Sequence, residues 1–402
     1  MSLVNMSPFT LSESSPPYLG QNDLTQPRQF QVIGSMIYDP NGQIFIPQGT
    51  NMFAWEGTTR VDSIINTWGF NTIRVPNYLL GSYDQPHPAI NNYDVNHQIV
   101  DGFTQDNRVI IFSAHDRTGR YYQNEEFEQL KAYWQEMARE FKDNPYVWFN
   151  LHNEPGRRNP NPEQWVHYHR TLIDIVRAEG ATNIIIVDGE SWGQDFYSQT
   201  ILNDAHRVME GNRNLLFSVH VYEQWNDHNV GDYLSQLQEK GIPTIVGEYG
   251  ASNGEQSTIP ASLKMMEAVQ EQDIGRIVWV FSANDRNDLT TGPGGHGYHF
   301  NGENIDELTE LGRLVWDDLQ RSQQQQQQSP GEQRTLTPNY SSHNLQPTNA
   351  DSAPQSVGFY QLHPRLFSFP LNPIQILFLI GTMVIIHKGL RRALAAKRNV
   401  SP

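Results

Sequence analysis

The stretch YVWFNLHNEP, residues 146–155, begins as if bound for a fully buried core and ends in an amide, an imidazole and a carboxylate. A β-strand that is covered on both faces reads as a continuous apolar run, and such strands belong to parallel sheets wrapped by helices. A run of that kind that finishes in Asn153 and Glu154, with Pro155 breaking the strand, delivers polar groups to the sheet edge where the following loop begins.

The same design recurs along the chain. QIFIPQGTNMF (43–53), NTIRVP (71–76), RVIIFSAHD (108–116), NIIIVDGE (183–190), LLFSVHVY (215–222), PTIVGEYG (243–250) and GRIVWVFSAND (275–285) are further strand candidates with apolar middles. The spacers between them carry helical stripes. Val61, Ile64, Ile65 and Trp68 fall at i, i+3, i+4 and i+7, Phe127 through Phe141 make a second stripe, and Trp165, Tyr168, Leu172 and Val176 a third, opened by Pro162 and closed by Gly180. Eight strands alternating with helices predict an α/β fold, a (β/α)8 TIM barrel. A doubly wound sheet is the alternative, because strand order is not written in sequence; no G-x-G-x-x-G follows the first strand.

The chain has 402 residues, 37% hydrophobic and 18% charged, with no cysteine, which excludes disulfides, thiolate metal sites and thiol nucleophiles. Its net charge is −16, and the residues after 365 contain five basic side chains and no acidic one, so the part before them is more acidic still. That balance argues against nucleic acid or a polyanionic polysaccharide as partner and favours a neutral one.

Four regions are expected. Residues 1–28 are Ser-, Pro-, Asn- and Gln-rich, without the basic start and apolar stretch of a secretory signal, and read as a disordered arm. Residues 29–321 would form the barrel. Residues 322–365, beginning with the six glutamines at 323–328, read as a low-complexity linker. In 366–402 an apolar run at 374–386 precedes Lys388, Arg391 and Arg392, which reads as a membrane anchor with its basic end in the cytoplasm and the barrel outside the cell. An interfacial helix is the other reading. Nothing indicates an oligomer, so a monomer is the default.

Polar residues collect at the strand ends: Arg74, His115 with Asp116, His152 to Glu154, Glu190, His220 with Tyr222, Glu248, and Asn284 with Asp285. In a (β/α)8 barrel that rim carries the chemistry. Glu154 and Glu248 stand out, since paired carboxylates flanking one bond are what glycoside hydrolysis requires.

FNLHNEP around Glu154 and IVGEYG around Glu248, with NTIRVP, FSAHD, FSVHVY and IVWVFS in the same order, resemble glycoside hydrolase family 5, of the clan of retaining (β/α)8 glycosidases. The resemblance covers roughly residues 30–320. It implies Glu154 as general acid/base and Glu248 as nucleophile. It further implies that Asn153 hydrogen-bonds the 2-hydroxyl of the sugar beside the cleaved bond, and that His220 lies near Glu154. Tyr222 would hydrogen-bond Glu248, Arg74 would hold Glu248 ionised, His115 would contact or support the sugar, and Trp279 would form its platform. Within the family, AHDRTG (114–119), VDGESWGQD (187–195) and FSVHVYE (217–223) are similar to bacterial endo-β-1,4-mannanases more than to cellulases.

There are departures: GTNMFAWEG lacks the histidine pair often found on the first strand, and Phe281 stands where a second tryptophan is common. The implied substrate is a plant or algal type β-mannan, with a β-glucan as the alternative and a non-catalytic carbohydrate-binding barrel as a further one. Trp192, Trp55, Trp225 and Tyr83 are candidates for stacking on sugar rings, Trp192 foremost. A metal reading through His115, Asp116, His152, His220, His296 and His299 competes, but the H-x-H of barrel metallohydrolases is missing where the first strand has Thr50 to Phe53. No cofactor and no metal are expected.

Overall fold

A computed structural model describes residues 29–80, 93–104, 107–282, 286–291 and 296–328. The arm before 29, the apolar run at 374–386, Tyr83, Asn284 and Asp285 lie outside the described residues. Among those described, no helix is long and apolar enough to cross a membrane.

The chain opens with an antiparallel pair, β1 (Gln31–Ile33) and β2 (Met36–Tyr38), and then builds a closed barrel. In chain order come β3 (Gln48–Asn51), α1 (Ala54–Gly57), β4 (Thr72–Asn77), α2 (Tyr93–Thr104), β5 (Val109–Ala114), α3 (Asn124–Phe141), β6 (Val147–Asn150), α4 (Pro162–Ala178), β7 (Ile185–Asp188) and α5 (Thr200–Met209). They are followed by β8 (Leu215–Val221), α6 (Val230–Glu239), β9 (Thr244–Tyr249), α7 (Ile259–Glu271), β10 (Gly275–Val278) and α8 (Glu310–Gln328). The strands β3 to β10 pair in parallel, each with its neighbour in sequence, and β10 closes on β3. Seven fall inside the stretches expected from sequence, β4 runs one residue past its stretch to Asn77, and the closed ring decides for the barrel over the doubly wound sheet.

Two apolar layers hold it. Successive side chains on a strand point to opposite faces. Ile73 and Val75 on β4, Ile110 and Phe112 on β5, Phe149 on β6, and Phe217 and Val219 on β8 face outward into the large core under the helices. Val109, Ile111, Trp148, Ile186, Leu216, Ile245 and Ile277 form a second, smaller cluster inside the barrel. Phe30 and Ile37 of the β1–β2 region join it, and Phe30 packs edge-on against Phe45, Tyr146 and Trp148 at ring separations of 5.1, 5.5 and 5.2 Å. This aromatic floor seals the N-terminal end. The hairpin was not expected from sequence; its three-residue strands are too short to show a period.

Following each inward line upward, apolar residues give way to polar ones. Ile111 is succeeded by Ser113, Trp148 by Asn150, Ile186 by Asp188, and Leu216 by Ser218, His220 and Tyr222, all buried. The helices secure these ends. Trp134 of α3 donates its indole N–H to the Leu151 carbonyl at 2.8 Å, and Trp165 of α4 donates to the Asp188 carbonyl at 2.9 Å. The stripe of α4 is buried as expected; Asn161 caps it by accepting from the Gln164 N–H, Pro162 opens it, and Gly180 leaves it at φ 81°.

Two elements depart from expectation. The segment of Ile64, Ile65 and Trp68 coils as a π-helical turn, Ser63–Trp68, closed by Gly69 at φ 79°, and the wider coil still buries all three side chains. The helix α8 runs through Gln328, past the expected linker boundary at 321. Glutamine is a good helix former, and a helix already docked through Leu311, Val315 and Leu319 extends into the glutamines without a break.

Candidate active site

The centre of the upper barrel is Arg74 on β4, 1% exposed. Its Nε donates to Asn150 Oδ1 at 2.9 Å, and one terminal nitrogen donates to Asn51 Oδ1 at 2.8 Å and Glu248 Oε1 at 2.7 Å. The other donates to Ser113 Oγ at 3.1 Å and Asn153 Oδ1 at 2.5 Å. A guanidinium with five N–H donors in a rigid fork is the side chain able to tie residues of β3, β5, β6 and β9 to one point.

Glu248 reaches that point through a bulge in β9. Strand β8 pairs Val219 with Val246 and then His220 with Glu248, so Gly247 is an extra residue on β9. With strict alternation Ile245 inward would leave Glu248 facing the helices; one inserted residue turns it into the barrel. Only glycine fits there, because a Cβ on Gly247 would stand 2.2 Å from Ser218 Oγ. Asn51 Nδ2 holds the bulge by donating to the Gly247 carbonyl at 3.2 Å. The second oxygen of Glu248 accepts from the Tyr222 hydroxyl at 3.0 Å.

Glu154 follows β6 with φ 54°, left-handed backbone that a non-glycine residue adopts at a cost. Its main-chain N–H donates to Asp188 Oδ2 at 3.1 Å and its Oε1 lies 2.8 Å from His220 Nδ1. The same Nδ1 is 3.6 Å from Glu248 Oε2. Glu154, His220 and Glu248 bring donor atoms within 4.8 Å of one another. That gives the trio the outline of a metal site, but Arg74 at 2.7 Å from Glu248 already places a permanent cation there.

Burial pushes the Glu154 carboxyl up from 4.5 to about 8, the charge of Asp188 adds to the rise, Arg74 opposes it, and Glu223 adds further. Burial also raises Glu248, against the pull of His220 and Arg74. The guanidinium works in the direction expected from sequence without cancelling desolvation. Burial lowers His220, and takes His115 well below its usual range.

Around the carboxylates lies a cleft of about 570 Å³, lined among others by His115, Asn153, Trp192, Tyr222 and Trp279. Trp279 stacks on His115 with ring centres 5.4 Å apart and planes 10° from parallel. Asn153, besides accepting from Arg74, donates to Thr118 Oγ1 at 3.1 Å. Trp192 sits at φ 56° in the loop after β7, close enough to Gly119 that a Cβ there would meet its Nε1 at 2.4 Å. Gly193 beside it leaves room for the His220 ring.

The structure thus brings together Arg74, His115, Asn153, Glu154, Trp192, His220, Tyr222, Glu248 and Trp279. Others go elsewhere. Trp225 is 1% exposed, bonded through Nε1 to the Gln194 carbonyl at 3.0 Å and packed on Phe196 and Tyr233, so it is core and not a sugar platform. Trp55 belongs to α1, and its side chain lies outside what is described. His152 is buried against Tyr168, Nδ1 to hydroxyl 3.0 Å. His296 and His299 stack on each other, away from the cleft lining. Asp116 accepts from the Leu79 and Leu80 N–H groups, and Glu190 accepts from Tyr121 at 2.6 Å and from the Asn161 N–H at 3.0 Å, fixing the loop after Glu154. Sequence reasoning missed Asp188, Gln194 and Glu223; an acid ending the apolar run of β7 was the available signal for the first.

A family model described as Cellulase (glycosyl hydrolase family 5) matches residues 38–285. A mannan endo-1,4-beta-mannosidase of Cellvibrio japonicus (strain Ueda107) is 29% identical over 268 residues, 64% of this chain and 60% of that protein. A beta-mannanase/endoglucanase A of Caldicellulosiruptor saccharolyticus is 30% identical over 228 residues, 55% of this chain and 16% of that protein. The chain therefore spans less than two thirds of both relatives. A crystal structure of a beta-mannanase from Streptomyces thermolilacinus with mannohexaose superposes with a TM-score of 0.60 at 24% identity, over 72% of this chain and 94% of that one, a likeness of fold.

Proposed function

The chain belongs to the cellulase family, glycosyl hydrolase family 5, and from that premise we propose that it is a retaining endo-β-1,4-glycanase acting on β-mannan. The observation that carries the reading is the pair of carboxylates, Glu154 and Glu248, one oxygen of each lying within 4.8 Å of the other beside His220, yet with different partners. Retaining glycosidases hold the two groups roughly 5 to 5.5 Å apart, whereas inverting ones need about 6.5 to 9.5 Å to admit a water.

Glu248 uses both oxygens on Arg74 and Tyr222, while Glu154 meets a histidine. A single proton on the pair therefore rests on Glu154. In the first displacement Glu248 attacks the anomeric carbon, the glycosidic C–O bond breaks, and Glu154 gives its proton to the departing oxygen. In the second, Glu154 takes a proton from water, the hydroxide oxygen bonds to the anomeric carbon, and Glu248 leaves, so configuration is retained. Arg74 orients Glu248, Asn153 is placed for the 2-hydroxyl, and Trp279 with Trp192 supplies apolar faces for sugar rings.

Mannan rather than glucan is supported by the names of the relatives, one of which carries both activities. The second reading is an endo-β-1,4-glucanase. A non-catalytic sugar-binding barrel would not need both carboxylates. The apolar run at 374–386 with Lys388, Arg391 and Arg392 after it supports attachment of the barrel to a membrane. The test is reducing-sugar release from mannan and from carboxymethylcellulose by wild type and Glu248→Ala. Wild type should favour mannan, and the variant should lose on the order of 10³-fold or more. Equal activity in the two proteins would remove Glu248 as nucleophile, and a preference for carboxymethylcellulose would move the assignment to glucan.

A further inference from the structure

Asp188 ends β7, is fully buried and does not line the cleft, yet it meets each part of the acid/base apparatus. Its Oδ1 accepts from Asn150 Nδ2 at 2.8 Å, and its Oδ2 accepts the Glu154 main-chain N–H at 3.1 Å. The same Oδ2 is 3.4 Å from His220 Nε2 and 3.8 Å from the Arg74 guanidinium. Among the described residues His220 Nε2 has no hydrogen-bond partner, so the imidazole stands between the Asp188 carboxylate on one side and Glu154 on the other.

We propose that Asp188 is a positioning residue for the acid/base: it pins the left-handed main chain of Glu154 and sets a fixed negative charge behind His220, so that the Glu154–His220 pair keeps its proton until the glycosidic oxygen takes it. The inference rests on the reading of Glu154 as the acid/base. Neutralising Arg74 does not account for Asp188, because Glu248 already does so at 2.7 Å against 3.8 Å. A buried negative charge within a few ångströms stabilises a bound proton by an amount that solvent screens only weakly. The groups facing Glu154 are Arg74 from β4, Asp188 from β7, His220 with Tyr222 and Glu223 at the end of β8, and Glu248 from β9; Asp188 and Glu223 favour its proton, and Arg74 disfavours it.

The substitution Asp188→Asn keeps size and an acceptor for the Glu154 N–H while deleting the charge. Full-length wild type and variant are compared by kcat/KM on two β-glycosides of the same oligosaccharide. One has a dinitrophenolate leaving group that departs without a proton, and the other a phenolate that needs one. The variant should fall on the order of 10²-fold on the phenyl substrate and less than about tenfold on the dinitrophenyl one. The basic limb of its pH profile should move about one unit or more toward acid. Asn150→Ser, which removes one bond to Asp188 and one from Arg74 but leaves both charges, should keep that limb in place. Equal losses on both substrates with an unmoved limb, or an equal movement in Asn150→Ser, would overturn the proposal. Should the Asn variant not fold by circular dichroism, Asp188→Ser takes the same test. A wild type that hydrolyses neither substrate would instead overturn the reading of the site itself.

Discussion

Replacing Glu154 with glutamine should make the protein more stable at neutral pH while abolishing hydrolysis. The folded carboxyl keeps its proton up to about pH 8, while in the unfolded chain it loses it near 4.5. Across that window the folded state binds the extra proton, so the contribution of Glu154 to stability is greatest in acid and declines as pH rises through it. At pH 7 the decline amounts to about 3 kcal/mol, from 1.36 kcal/mol per pH unit. This is an upper bound, because 12% of the side chain still meets solvent. Glutamine has nearly the same shape and no proton to lose. The melting temperatures of the two proteins should therefore be close at pH 4 and separate by roughly 5 to 10 °C in favour of the variant at pH 7. Glu248, Asp188 and Glu190 are common to both proteins, so the comparison isolates one carboxyl. Calorimetry at the two pH values decides; a gap that does not widen between them refutes the desolvation argument.

Gly247→Ala should cost about 1 to 3 kcal/mol and most of the activity, since its Cβ would press on Ser218 Oγ at 2.2 Å and shift the bulge that aims Glu248. Adding Ser218→Gly should restore both, and a single variant with wild-type melting temperature and turnover would contradict the role given to the bulge. Trp192→Ala should raise KM for polysaccharide roughly tenfold with little change in kcat, as steady-state kinetics would show, because it removes a stacking face and leaves the carboxylates in place.

The strands of the barrel were legible because each is covered on both faces and stands out as an apolar run. The inward line was not. Within IIIVD, the inward Ile184, Ile186 and Asp188 and the outward Ile185 and Val187 are told apart only once the ring is closed. Asp188 was missed for that reason, because an acid ending a strand looks the same whether it faces the barrel or the solvent. Glu154 and Glu248 were legible through the motifs around them, but the bulge that aims Glu248 was visible only as a glycine before an acid. Trp225 misled because a tryptophan after a rim motif carries no mark of which way its ring will pack; here Phe196 and Tyr233 claim it. The hairpin below the barrel is coded by single residues, Phe30 and Ile37, whose partners come from distant strands.

The ring of Phe30 closing over Phe45, Tyr146 and Trp148 gives the cylinder one open mouth and one stoppered base. Cohesion is concentrated at the base and the polar side chains at the mouth, so rim residues can be exchanged while the stopper goes on holding the strands in place.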